Sequence, residues 1–207
     1  MTSAAVAIAQ TDSYKNVYTE SAWKERDEWQ KAGEIIKKMK IDTSSAVADI
    51  GCHEGYMTFK LSKAARRVYA VDLEQWKLNA IQQHALKQKI TNIRIVKGEY
   101  DDPKLPPNTL DAVVILDTYH EMSDHDKILQ HIMTALKKGG RLVICEPIAD
   151  SRRSFARADQ EKKHELGMSF ALEDLLKAGF TIREQTDPFV DRVKIKGDKM
   201  WIIVAVK

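Results

Sequence analysis

The stretch Ala46-Val47-Ala48-Asp49-Ile50-Gly51-Cys52-His53-Glu54-Gly55, followed after seventeen residues by Asp72, decides the fold. AVADI is a short apolar strand that runs straight into a loop with two glycines, and a helix is expected from Tyr56 to about Ala65. Glycines at such a junction let a tight turn bring backbone amides close to a ligand. An acidic side chain at the tip of the next strand, VYAVD (68–72), is placed to accept hydrogen bonds from both hydroxyls of a ribose. Nicotinamide and flavin folds use the same arrangement, so the loop alone does not choose among cofactors. The acid that opens it, the strand before it and the acid after it mark a binding site and not a bare turn.

Working outward, the order of elements is regular. A helix over 73–88 precedes the strand NIRIV (92–96), and DAVVIL (111–116) is a fourth, largely apolar strand. A helix over 124–137 stops at Gly139-Gly140 before RLVIC (141–145). Strands alternating with helices predict a parallel sheet covered on both faces, and near-continuous apolar strands agree. The rhythm changes after Phe180. Residues 180–185 and 201–206 are strand-like, with Gly197-Asp198 at a turn between them, which implies an antiparallel pair at one sheet edge. At the other end, Trp23, Trp29, Ala32, Ile35, Ile36 and Met39 recur at helical spacing and predict one helix over 21–39. Residues 1–20 read as a flexible arm, and 21–207 as a single domain.

Composition narrows the class. With 207 residues, 43% hydrophobic and 30% charged, the chain can bury one sizeable core. The net charge of +3 is spread among interleaved acids and bases, which gives no stripe for nucleic acid. The two cysteines, Cys52 and Cys145, form no CxxC, so neither a disulfide scaffold nor a structural zinc site is expected, and a reducing compartment fits. No apolar run approaches the ~20 residues of a membrane span. Ala4 to Ala9 has the small-residue look of an export cleavage site but lacks a basic leader and a long enough apolar stretch.

The acid-x-Gly-x-x-x-Gly loop and its distant Asp72 resemble the first motif of class I S-adenosylmethionine-dependent methyltransferases, usually acidic-x-Gly-x-Gly-x-Gly. Here the middle glycine is His53, which predicts a backbone conformation that a side chain tolerates. The resemblance implies a Rossmann-like α/β methyltransferase fold, a mostly parallel seven-stranded sheet with a C-terminal antiparallel hairpin. It implies S-adenosylmethionine as cofactor, held by Asp49, Gly51, Cys52, His53, Gly55, Asp72 and Leu73. Glu99 and Tyr100 would meet the adenine, with Asp101 as a close alternative, and Asp117 the amino end of methionine. LKKGGRLVI (136–144) is similar to the family's turn before strand five, with Lys138 in place of proline. Asp117-Thr118-Tyr119-His120-Glu121-Met122 resembles a bacterial subgroup with a tyrosine-histidine-(histidine or glutamate) turn, and Arg26 to Lys31 that subgroup's leading helix. Such a helix either closes over the cofactor as a lid or simply packs Trp29 on the core. The cytoplasm, where the cofactor is made, is the expected compartment.

Open α/β sheets bind ligands at the carboxyl ends of their strands, so the acceptor side falls to His120, Glu121, Glu146 and the segment beyond Pro147. Methyl transfer to a hydroxyl or a protonated amine is helped by a base, and His120 and His164 are the imidazoles in reach, with Glu146 as a further catalytic candidate. Arg153, Arg157, Gln160 and His164 follow helical spacing and would line one face, suited to a carboxylate or phosphate, unless that face is merely solvated. Trp29 and Gln30 would close the opposite side. A small molecule is the expected acceptor. Asp117, His120, Glu121, Asp124 and His125 sit on a turning loop whose spacing does not by itself bring them together, so no metal is expected. Two rivals stand: a binding protein without catalysis, for which His53 speaks, and an NAD-dependent oxidoreductase. The one Tyr-x-x-x-Lys pair, Tyr56 and Lys60, follows the glycine loop directly and could not reach a nicotinamide.

Overall fold

The computed structural model describes residues 20–207. The expected arm lies outside the described residues except for Glu20, as does the Ala4–Ala9 run. Seven strands form one sheet in the order β3-β2-β1-β4-β5-β7-β6. They are β1 (Ala46–Ile50), β2 (Arg67–Asp72), β3 (Ile93–Lys97), β4 (Leu110–Leu116), β5 (Leu136–Ile148), β6 (Thr181–Arg192) and β7 (Asp198–Val206). The first five run parallel, while β7 pairs antiparallel with both β5 and β6. This is the mostly parallel sheet with a reversed edge pair that the sequence implies.

Alternation along β1 builds a core on each face. Ala46, Ala48 and Ile50 join Val113, Ile115 and the helices α5 (His125–Ala135) and α7 (Met168–Lys177) on one side. Val47 joins Val114, Val143 and the helices α2 (Ala32–Met39) and α3 (Tyr56–Leu61) on the other. Every residue of β1 is buried. Burying some fifty apolar side chains in two slabs is the main stabilising term, at roughly 1.5–3 kcal/mol for each large one before the entropy of ordering is subtracted.

The helix expected over 21–39 is two. Lys31 takes the left-handed conformation (φ 54°, ψ 36°) and separates α1 (Glu20–Gln30) from α2. Their apolar residues serve different partners: Ala32, Ile35 and Met39 seat α2 on the sheet, while Trp23 of α1 packs on Tyr56 and Phe59 of α3. One straight helix could not do both. The break is fixed by Lys31 Nζ, which donates to the carbonyl of Phe189 at 2.8 Å. On the far side of the glycine loop, α4 (Gln75–Lys87) covers β2 and β3.

Candidate active site

The loop between β1 and α3 is held by strand two: the amides of Gly51 and Cys52 donate to Val71 O at 2.9 and 3.0 Å. Its backbone alternates through the left-handed region at Gly51 (φ 72°), His53 (φ 46°) and Gly55 (φ 89°). His53 thus adopts the conformation that usually calls for glycine, one in which histidine is among the few side chains found. In that conformation its amide donates to Asp72 Oδ2 at 2.9 Å, and its half-exposed ring lies 6.4 Å from that of Trp76. Gly51 has a second constraint. A Cβ there would lie 2.2 Å from Cγ2 of Thr118, so the loop and the end of β4 approach too closely for any side chain.

Three carboxylates converge on this junction. Asp72 is buried and also accepts from the amide of Glu74 at 2.9 Å through Oδ1, which lies 3.7 Å from Lys77 Nζ, while Oδ2 keeps a second acceptor position. Asp49, on the α3 face of β1, accepts from the Thr58 hydroxyl at 2.6 Å. Burial pushes its pKa up to about 6, against the pull of that hydroxyl and of Arg26. Asp117 follows β4 at φ 58° and pairs with Arg192 at 3.3 Å. Above them stands Arg26 of α1, its guanidinium 4.2 Å from the centre of the Tyr56 ring and its Nε donating to Gln30. The Tyr56 hydroxyl and Lys60 both grip Asp27, which fastens α1 to α3. Cys52 and Cys145 are buried, and burial raises both thiols well above their ordinary range, so neither supplies a nucleophile.

Beyond β4 the chain makes a single 3-10 turn over Tyr119–Glu121. Tyr119 points into the core and donates to Asp174 at 2.9 Å. Glu146, wholly buried in β5, gathers the turn: its carboxylate accepts from the amides of Thr118 (2.6 Å), Tyr119 (2.8 Å) and His120 (3.3 Å). It also takes His120 Nδ1 at 2.5 Å. Burial pulls the His120 pKa down, but Glu146, helped by Asp117 and Glu121, outweighs it and the net shift is upward. His120 Nε2 is thereby left facing a cavity of about 570 Å³, whose wall includes Asp117, Glu121, Arg152, His164, Arg192 and Lys196.

These features meet in one known family. Residues 47–140 match the family described as methyltransferase domain. That match, the relatives named as methyltransferases and the fold together support a class I S-adenosylmethionine-dependent methyltransferase. An uncharacterized methyltransferase of Geobacillus sp. (strain WCH70) is 24% identical over 84% of this chain and 83% of its own length. A demethylmenaquinone methyltransferase from the same organism is 23% identical over 55% of this chain and 50% of its own. An S-adenosylmethionine-dependent methyltransferase from Aquifex aeolicus shares the fold, with a TM-score of 0.73 and 20% identity over 91% of this chain and 98% of that one. The protein is accordingly a methyltransferase with S-adenosylmethionine as its cofactor, and the nicotinamide alternative is set aside.

On this methyltransferase the residues expected around the cofactor gather at the carboxyl ends of β1, β2 and β4. Leu73 is partly exposed beside Asp72, while Glu99 and Tyr100 are largely exposed in the turn after β3, where Gly98 donates to Asp72 O at 3.1 Å. The acceptor stripe does not form. Only α6 (Arg157–Glu161) is helical there, and His164 turns left-handed at φ 56°. Arg153 is spent on Asp150 and Asp187, and Arg157 on Glu161 and Asp174. Gln160 is fully buried and ties Arg152 O and Phe155 O to the amide of Gly167. None of these three borders the cavity, although His164 does. Gln30 is also fully buried and supports Arg26, while Trp29 lies behind the wall, 5.2 Å from the Arg192 guanidinium and 5.5 Å from Lys196 Nζ. Glu146 does not reach the cavity; it sets His120. Sequence reasoning missed Arg26, Trp76, Arg152, Arg192 and Lys196. Arg26 had a visible signal, as a cation on the face of a tryptophan-bearing helix, whereas Arg192 comes from a strand end that only the reversed hairpin carries to the site.

Proposed function

We propose that this methyltransferase is a cytoplasmic enzyme that modifies a small molecule seated in the cavity beside Asp117, with its nucleophilic atom against His120 Nε2. The observation that carries this reading is the Glu146-anchored turn. It fixes one imidazole nitrogen and turns the other into a cavity that shares Asp117 with the cofactor side. Asp72 accepts the ribose hydroxyls, Leu73 and Trp76 flank the adenine, and Asp49 and Asp117 face the positive end of methionine. Arg26 meets its carboxylate, a charge-assisted contact of the kind guanidinium makes well. The cavity volume is in the range of small-molecule sites. Relatives such as the demethylmenaquinone methyltransferase support a small acceptor, and two buried free thiols suit a reducing compartment.

The chemistry is an in-line displacement: the acceptor's lone pair forms the new bond to the methyl carbon, and the sulfonium C–S pair returns to sulfur. The protein's part is alignment and exclusion of water. Radiolabelled cofactor incubated with extract fractions of small molecules, protein and RNA tests the proposal. Label should move to the small-molecule fraction, and His120→Ala should lower turnover with S-adenosylhomocysteine affinity kept within about twofold. Transfer to protein or RNA instead would reject it.

A further inference from the structure

We propose that His120 Nε2, the Glu121 carboxylate and His164 Nδ1 form a three-ligand site for a divalent transition-metal cation, open toward the acceptor cavity. The inference rests on reading that cavity as the acceptor site. The three ligand atoms all lie within 4.8 Å of one another. Glu121 Oε1 is 3.4 Å from His120 Nε2 and 2.7 Å from His164 Nδ1, and the two rings stand 5.8 Å apart. Ligands at tetrahedral corners around a metal with ~2.0–2.1 Å bonds sit roughly 3.3 Å from each other, so the observed spacing brackets what is needed.

The rigid member is His120, whose side chain is 4% exposed. Its Nδ1–H donates to the buried Glu146, which leaves the Nε2 lone pair outward; a carboxylate behind a histidine is the usual backing of a metal ligand. Glu121 and His164 have exposed side chains, so they are free to close on an ion. Two of the cations in the cavity wall are already paired, Arg152 with Glu165 and Arg192 with Asp198 and Asp117. A second cluster, His125 with Asp126 and Asp174, lacks this quality: Asp174 already holds the Arg157 guanidinium and the Tyr119 hydroxyl.

Two nitrogens and one carboxylate suit zinc, cobalt or nickel better than magnesium, and three protein ligands with an open position are the pattern of catalytic sites. Two neutral imidazoles and one carboxylate leave a divalent ion with net charge +1, so its open position favours an anionic oxygen. The acceptor class is therefore a hydroxyl compound. The hydroxyl loses its proton to water as it binds. Its oxygen then forms the O–CH3 bond while the S–CH3 bond breaks onto sulfur, giving S-adenosylhomocysteine.

The test is titration of the full chain, stripped with chelator, with Co²⁺, followed by visible absorption and calorimetry. One equivalent with the intense bands of a tetrahedral site is expected. His164→Ala and Glu121→Gln, both at exposed side chains, should each weaken it tenfold or more, and His125→Ala should leave it unchanged. Absence of saturable binding, binding that survives both variants, or loss in His125→Ala overturns the metal site. S-adenosylhomocysteine thermal shifts on the same samples separate the two readings. A shift without a Co²⁺ site removes the metal alone, and no shift removes the acceptor-site reading beneath it.

Discussion

Asp49 is a carboxylate with 2% of its surface exposed, kept by one hydroxyl and a distant guanidinium. Its pKa of about 6 stands above the unfolded value of 3.8, so the folded state holds more protons between those limits. Stability from this group is complete below pH 4 and is lost as pH rises through 6. Asp49→Asn keeps an acceptor for Thr58 and never ionises. It should stabilise the fold by roughly 1–3 kcal/mol at pH 8 and by little at pH 4, read from urea midpoints of the two proteins. Equal differences at both pH values would show that folding leaves the Asp49 pKa at its unfolded value. Asp72 is bridged by two amides, those of His53 and Glu74. Asp72→Ala should weaken S-adenosylhomocysteine about ten- to a hundredfold by calorimetry, on the order of 1.5–3 kcal/mol. Unchanged affinity would remove it as the ribose ligand. Both acids were legible in the sequence because strand ends are. The φ of His53 was not: nothing in a residue's name says that its neighbours will hold it left-handed.

At the scale of elements, the turn after β4 and the strand beside it work as one piece. Glu146 supplies the acceptor for three amides and an imidazole, so truncation strands four donors at once, three of them buried. Glu146→Ala should cost about 3–5 kcal/mol in unfolding free energy, the range for breaking a buried charged network. It should also speed hydrogen exchange at residues 118–120. A small loss with exchange unchanged would mean that the turn holds its own shape. The sequence pointed to Glu146 by its place at a strand end and proposed chemistry for it, but a strand's alternation does not say which polar side chain turns inward. The stripe from Arg153 to His164 failed for a related reason. Helical spacing is only spacing: Asp187 and Asp174, remote in sequence, joined the nearby Asp150 and Glu161 in capturing the arginines, and Gln160 went inward to satisfy loop carbonyls. The 21–39 segment broke because its tryptophans and its isoleucines had different surfaces to cover.

Across the whole molecule, the strand order explains why one ligand should be felt everywhere. Loops from the ends of β1, β2 and β4 meet at one end of the sheet with Arg26 from α1, so under the proposed reading residues far apart in the chain would be tied by a single bound molecule. The parallel strands were legible as apolar runs between helices. β6 was read only to residue 185, because an edge strand carries polar residues such as Arg183, Glu184 and Gln185 that do not mark it as buried. That hairpin also decides cofactor choice. In a dinucleotide fold the second nucleotide spreads across the half of the sheet where this chain instead has β7 antiparallel, with Arg192, Asp198 and Trp29 packed at its end. A ligand that binds only the native state at a hundred times its Kd adds about 2.7 kcal/mol, which in a domain of this size raises Tm by about 5–10 °C. S-adenosylhomocysteine should produce that rise in a thermal scan, Asp72→Ala should diminish it at the same concentration, and NAD should leave Tm where it was. A rise with NAD and none with S-adenosylhomocysteine would mean that the reversed hairpin does not exclude a dinucleotide, and the assignment of the loop would have to change with it.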